Sequence, residues 1–467
     1  MIRRLMISLL LVAMAVASAS GVSPRDMQFP ELSYEPTDPV RFETDNGMVV
    51  YFLEYHDLPV FVINAYFHGG DVYDPVDKAG LTGITATLMR TGGAGDRTAD
   101  QVDEDLDFVG ASMGSSSAND FLSVNANSLR KDADLVFGIF ADALIRPAFD
   151  PDKLNLEASN LKEGIRRQND NSWSIVRRVF YQTLYGDHPY GLFPTLASVD
   201  NIARDDVVAH HKRFYAPDNC ILSITGDLTL EEAKALVERY LGEWEPTSQP
   251  VEPIAPAEKT YQAGVYYAEK DINQANIRFG HLGLDDKNPD RYAMELMNFA
   301  LGGGGFASRL TSDVRTTAGL AYTVGSYEQV RPYNGFFFGY CLTRADAMAQ
   351  ATQMMLDIVA DVKANGITAE ELQLAKESTI NSYVFGYDTP GELVAAKALL
   401  ELRGFPPDQL KRTLEAYKAV TLEDCNRVAA KYLNTEDIVI VITGNKELFD
   451  QPPETFGPVT VVPMEIK

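Results

Sequence analysis

Residues able to do acid–base, nucleophilic or metal chemistry are present in this chain, but their spacing assembles few of them. His210 and His211 are adjacent in the run Asp205 to Tyr215, which reads as an exposed helix. Neighbours on a helix point to different faces, so the two do not share one ion. His68 follows a predicted strand and is expected to hydrogen bond to nearby backbone. Ser115-Ser116-Ser117 offers hydroxyls, but no G-x-S-x-G elbow and no placed histidine and aspartate activate one. Gly302 to Gly305 follows no strand and is closed by no Lys-Ser or Lys-Thr, so it reads as a helix C-cap and turn rather than a phosphate loop. Cys220, Cys341 and Cys425 are an odd, widely spaced set that gives no disulfide framework, and buried thiols are expected. Nowhere do His, Cys and carboxylates recur at metal-ligand spacing.

The elements that would position such residues are easier to read. Gly47 to Tyr55 and Pro59 to Phe67 are apolar, β-branched and aromatic runs that suggest a hairpin turning at His56-Asp57-Leu58. Gly80 to Gly92, GLTGITATLMRTG, reads as a helix. Thr98-Ala99-Asp100-Gln101 caps an amphipathic helix ending at Gly110, and Gly110 to Asn127 reads as a serine-rich strand. Arg204 to Asp227 parallels Leu422 to Asn445 without a gap, each a helix, a short turn, an apolar strand and a Thr-Gly exit. That repeat implies two copies of one α+β unit. Between them, Pro246, Pro250, Pro253 and Pro256 mark a semi-rigid linker. The expected organisation is an N-terminal domain over 40–245, a linker over 246–260 and a C-terminal domain over 261–460. Each is an antiparallel or mixed sheet packed with helices, the two facing each other like half of a clamshell.

Composition narrows the class. With 45% apolar and 23% charged residues in 467, the chain has the makeup of a soluble globular protein with more than one core. Its formal net charge of -25 argues against nucleic acid as a partner and is compatible with basic peptides. Met1 to Ala19 carries Arg3-Arg4, an apolar stretch and an A-x-A site, the pattern of a cleaved secretory signal peptide, so a periplasmic or secreted protein is expected. No later stretch is long and apolar enough to span a bilayer, and no cysteine follows the leader to carry a lipid.

From Phe42 to Asn445 the order of these elements resembles the pitrilysin, insulinase and processing-peptidase family of zinc peptidases. In that family the stretch matching Gly80 to Gly92 carries H-x-x-E-H, two histidines binding zinc and a glutamate activating water. Here those positions hold Gly83, Thr87 and, for the base, Ala86. The family's third ligand is a later glutamate preceded seven residues earlier by another. In the matching stretch Glu157 is kept while the ligand position holds Gly164. Glu163 lies one residue off, about 100° around a helix. The resemblance therefore implies a chain without zinc of its own. His188-Pro189-Tyr190-Gly191 matches a family loop with a structural role, and Gly114 to Ser117 stands where the family grips extended peptides by strand addition.

The second half is similar to the family's C-terminal signature over Leu301 to Tyr327, LGGGGFASRLTSDVRTTAGLAYTVGSY. The resemblance implies that Arg315 and Tyr322 reach across to a peptide held at zinc and donate hydrogen bonds to it and to its developing oxyanion. Some family members are heterodimers in which one subunit bears H-x-x-E-H and its homologue lacks it but supplies this pair. The reading is a zinc-less subunit of a periplasmic heteromeric zinc peptidase, hydrolysing peptides only with a homologous H-x-x-E-H partner that holds the zinc. The alternative is a catalytically inactive scaffold or peptide-binding protein of the same fold.

Overall fold

The computed structural model describes residues 37–246 and 249–466. The predicted signal peptide, Met1 to Ala19, lies outside the described residues. The N-terminal half runs β1 (Val40–Glu43), β2 (Val49–Glu54), β3 (Val60–His68), α1 (Leu81–Thr91), α2 (Ala99–Val109), β4 (Ser112–Ser117), β5 (Phe121–Leu129), α3 (Ala133–Ile145), α4 (Pro151–Arg166), α5 (Ser172–Tyr185), α6 (Leu196–Asp200), α7 (Arg204–Phe214), β6 (Cys220–Gly226) and α8 (Leu230–Leu241). The C-terminal half runs β7 (Gly264–Glu269), β8 (Gln274–Leu282), α9 (Arg291–Asn298), β9 (Ala321–Gln329), β10 (Phe336–Arg344), α10 (Met348–Asn365), α11 (Ala369–Tyr383), α12 (Pro390–Leu402), α13 (Gln409–Ala419), α14 (Leu422–Tyr432), β11 (Val439–Gly444) and β12 (Val459–Val461).

Two six-stranded sheets follow one plan, β1-β2-β6-β3-β5-β4 and β12-β7-β11-β8-β10-β9. In each, a late, fully buried strand (β6 or β11) enters the middle, parallel to one neighbour and antiparallel to the other. Such continuous apolar runs, CILSITG and VIVITG, are what a strand covered on both faces requires. The repeat read from sequence is this shared topology: α7 leads into β6 as α14 leads into β11.

That insertion corrects the predicted hairpin. β2 and β3 do not pair, because β6 lies between them. The segment Tyr55 to Pro59 crosses two strand spacings, about 10 Å, which five residues span easily. The serine-rich stretch is also two strands rather than one: β4 and β5 form an antiparallel hairpin turning at Ala118 to Asp120. The helix over Ala99–Val109 is as read, with a reciprocal Thr98–Gln101 capping box and Gly110 left-handed at its end.

The halves exchange helices. α5, from the N-terminal half, lays Ile175, Val176, Val179, Phe180 and Leu184 against Phe336, Phe338, Val439 and Val441 of the second sheet. α12, from the C-terminal half, lays Val394, Ala398 and Leu402 against Tyr51, Tyr66 and Ile221 of the first. Glu401 of α12 takes Arg41 Nη2 at 2.7 Å and the Tyr51 hydroxyl, and these donors hold its carboxyl below the ordinary range. The proline-rich connection is tied to both halves. Tyr73 donates to Glu252 O at 2.9 Å, His188 Nε2 lies 3.0 Å from Ala255 O, and Asn334 donates to Ala257 O at 2.9 Å. Among the described residues no helix is long and apolar enough to cross a membrane.

Candidate functional site

α1 starts at Gly80, whose φ of 103° and missing side chain leave the first amide groups without a local cap. Asp74 takes that role from upstream, accepting from Gly80 N at 2.7 Å, Thr82 N at 2.9 Å and Thr82 Oγ1 at 2.6 Å. Burial raises its carboxyl above the ordinary range and these donors oppose the rise. The Thr82 hydroxyl also lies 3.1 Å from His210 Nε2 of α7.

One face of α1 borders a cavity of about 580 Å³. Gly83 and Thr87 line it together with Glu157 of α4, Asp71, Arg177 and Tyr181 of α5, and Arg331 from the other half. Ala86 is buried, whereas Gly164 is exposed and is not among the lining residues. Neither glycine position is plugged: a Cβ at Gly164 would meet nothing within 4 Å, and one at Gly83 only Ser117 Oγ at 3.9 Å. The Thr87 hydroxyl is turned back to its own helix, donating to Gly83 O at 3.0 Å. Glu163 is exposed and pairs with Arg166 at 3.7 Å. Two glycines, an alanine and a threonine bonded to its own helix do not fit zinc, and among the described residues no group of three His, Cys or carboxylate side chains converges to hold a metal.

Asp71, Asp74, Glu157, Arg177 and Arg331 give the cavity its polarity. Asp71 is enclosed, and desolvation first, with the charge of Asp74 adding, pushes its carboxyl up to about 6 against a bond to Ser117. Arg331 stacks on Tyr190 at 4.8 Å and Phe336 at 4.9 Å, with no carboxylate pairing it among the described residues.

Arg315 and Tyr322 lie elsewhere. α9 ends in a π-helical turn, Phe299–Gly303, where a Cβ on Gly302 would sit 2.4 Å from Ser326 N of β9. The chain turns at Gly305, φ 57°, and Arg309 anchors the next segment by bonding Glu371 and Asp361 at 2.7 and 2.9 Å. A second π-helical turn, Thr311–Thr317, then carries Arg315, and β9 carries Tyr322. The Arg315 guanidinium sits 4.6 Å from the Tyr322 ring centre and 4.8 Å from that of Phe306. Tyr322 is 78% and Phe306 72% exposed. No carboxylate pairs with Arg315 among the described residues.

The lesser candidates resolve into structure. α7 keeps an outer face exposed at Asp205, Ala209, Lys212 and Arg213, as expected, but His210 and His211 are buried because they turn inward toward α1 and α3. Their rings point apart, His210 to Thr82 and His211 to Leu144 O at 2.9 Å. Desolvation pushes them down to about 3 and about 4, so both are neutral. His68 is the last residue of β3, and its carbonyl accepts from Asn219. His188 accepts from Tyr190 N, a loop-forming bond. All three cysteines are buried free thiols. β4, with Ser115 to Ser117, is an edge strand.

Residues 59–193 match the family model described as insulinase (peptidase family M16), and residues 201–379 match that described as peptidase M16 inactive domain. The chain belongs to the peptidase M16 family. An uncharacterised zinc protease of Bacillus subtilis, YmxG, is 26% identical over 405 residues, 86% of this chain and 97% of its own length. One of Mycobacterium leprae is 26% identical over 342 residues, 72% of this chain and 77% of its own. Among solved structures, a peptidase M16 inactive domain from Pseudomonas fluorescens superposes with a TM-score of 0.82 at 25% identity, covering 89% of this chain and all of that one. The periplasmic protease PqqL of Escherichia coli shares the fold, with a TM-score of 0.75 at 15% identity, over 92% of this chain and 52% of PqqL.

Within the M16 fold, α1, Glu157 and the Arg315 and Tyr322 pair are legible in the sequence, whereas Phe306, Asp71 and Arg331 are not. Phe306 stands inside the glycine-rich signature, four residues after Gly302. Arg331 carries no local signal, since it reaches the cavity from the opposite half.

Proposed function

We propose that this M16 chain is the zinc-less subunit of a periplasmic heteromeric zinc peptidase. In this reading a homologous H-x-x-E-H partner holds zinc and water, and Arg315 and Tyr322 bind the peptide and stabilise the oxyanion formed at the partner's metal. The observation that carries it is the state of Arg315. It is a guanidinium without an ion-pair partner among the described residues, held between two exposed rings and outside the chain's own cavity. In a protein with 66 acidic and 41 basic residues, an arginine left unpaired beside an exposed phenol is free to serve an acceptor from outside. The chain's own α1 lacks groups for metal chemistry, so hydrolysis takes place only in the complex. The leader read in Met1 to Ala19 and the likeness to periplasmic PqqL support the compartment.

The test is reconstitution with the partner. The complex should cleave peptide in a zinc-dependent manner and neither chain should do so alone. The alternative, an inactive scaffold or peptide-binding protein of this fold, is favoured by one feature, the cavity beside Gly83 and Thr87 that remains open after loss of the ligands. Peptide binding by the isolated chain, with no gain of activity on mixing, would select it.

A further inference from the structure

A second cavity, of about 680 Å³, opens in the C-terminal half between α9, β9, α11 and α13. One wall is a chain of aromatic rings. Tyr292 meets Tyr417 at 5.3 Å, Tyr417 meets Tyr383 at 6.3 Å, and Tyr383 meets Tyr387 at 5.1 Å. Glu295 and Glu328 also line it. Glu295 is exposed as a residue, while its carboxyl is desolvated and accepts from the Tyr417 hydroxyl. Glu328 is less exposed, its carboxyl is enclosed, and Oε1 has no hydrogen-bond partner.

An enclosed carboxyl oxygen without a donor is unfavourable, and a second carboxyl nearby makes it more so. Desolvation first, then the charge of Glu295, pushes Glu328 up to about 8. No basic side chain among the described residues pairs with either. Arg291, at the rim, is already engaged, donating to Asp286 O at 2.5 Å and Tyr292 Oη at 2.7 Å and stacking on Phe405. Two carboxyl groups against a tyrosine wall are the surroundings an organic cation seeks. Among the described residues no group of three His, Cys or carboxylate side chains forms here.

We propose that this cavity binds the guanidinium or ammonium head of a basic peptide side chain between Glu328 and Glu295, against the tyrosine wall. A peptide source is favoured by Glu328's place on β9, the outermost strand of its sheet, the position at which a sheet takes an added extended chain. The volume falls within the range of about 300–1,000 Å³ usual for ligand sites and leaves room for flanking backbone. The site lies on the same strand as Tyr322, six residues further on, about 20 Å along it. The proposal goes beyond the split-site reading and does not rest on it. At neutral pH the Glu328 proton is present in the free chain and leaves when the cation enters. The titratable and charged groups facing it are Glu295 and Arg291 on α9 and Tyr292, Tyr327, Tyr383, Tyr387 and Tyr417.

Calorimetric titration of the isolated full chain at pH 7 tests this with N-acetyl-Ala-Arg-Ala-amide, its citrulline counterpart and free agmatine, in two buffers of different ionisation enthalpy. The arginine peptide should bind with proton release. The neutral citrulline peptide should bind at least about tenfold more weakly. Glu328→Gln, with circular dichroism unchanged, should lose both the proton release and the preference. Equal binding of the arginine and citrulline peptides would overturn the cation site, and needs no variant. Unchanged proton release in folded Glu328→Gln would overturn the role of that residue. Agmatine binding as tightly as the arginine peptide would overturn the assignment to a peptide.

Discussion

Arg315 is the residue on which the functional argument turns, and its neighbours show why. A guanidinium 4.6 and 4.8 Å from the centres of two exposed rings, with no carboxylate pairing it among the described residues, has donors available to an acceptor from outside. Arg315→Ala or Tyr322→Phe should lower the kcat of the reconstituted complex by about 10²-fold, with folding and assembly unchanged. Unaltered turnover in both variants would remove the proposed role. Asp71 makes a second prediction at this scale. Its folded pKa of about 6 lies above the unfolded value, so it contributes no penalty when both states are protonated, below about pH 4. The penalty grows as pH rises from about 4 to about 6 and is complete above that. Asp71→Asn should therefore stabilise the chain at about pH 7.5, by up to about 3 kcal/mol, and leave it unchanged at about pH 3.5, as read by thermal melts at the two pH values. The spacing of Arg315 and Tyr322 was legible because it is local. Arg331 was not, because residues far apart in sequence meet at the cavity only after the halves pack.

At the scale of elements, the chain keeps the helix of a metal site while lacking its ligands. α1 is still capped by Asp74, still packed on β4 and α7, and still borders a cavity. The glycine-rich turn shows how closely position is set on the other side. Ala at 302 would drive a Cβ to within 2.4 Å of the Ser326 amide, so Gly302→Ala should lower stability by about 3 kcal/mol. Because that contact joins the turn to β9, the variant should also weaken whatever Arg315 and Tyr322 do together. An unchanged melting temperature would contradict the packing argument. The capping box and glycine stop of α2 are legible in the sequence because they are written within a few residues. The β2–β3 hairpin was misread for the opposite reason: two apolar runs with a short turn look the same whether they pair or admit a third strand. Only the fully apolar β6, distant in sequence, decides between these.

At the scale of the molecule, the internal repeat set the architecture, and the helix exchange fixes it. α5 and α12 each bury an apolar face on the other half's sheet, an arrangement invisible to periodicity, since the pattern says that a face is buried but not against what. The result is a chain that presents Arg315 and Tyr322 outward and holds no metal ligands at its own degenerate site. That is the form expected of one part of a shared active site. The most direct test is to isolate the protein at native level from its source, identify what accompanies it, and assay peptidase activity with and without chelator. The predicted result is a stoichiometric homologue carrying H-x-x-E-H, with chelator-sensitive activity that is absent from either chain alone. Recovery of the chain without such a partner, or a complex whose activity does not require it, would contradict a shared active site.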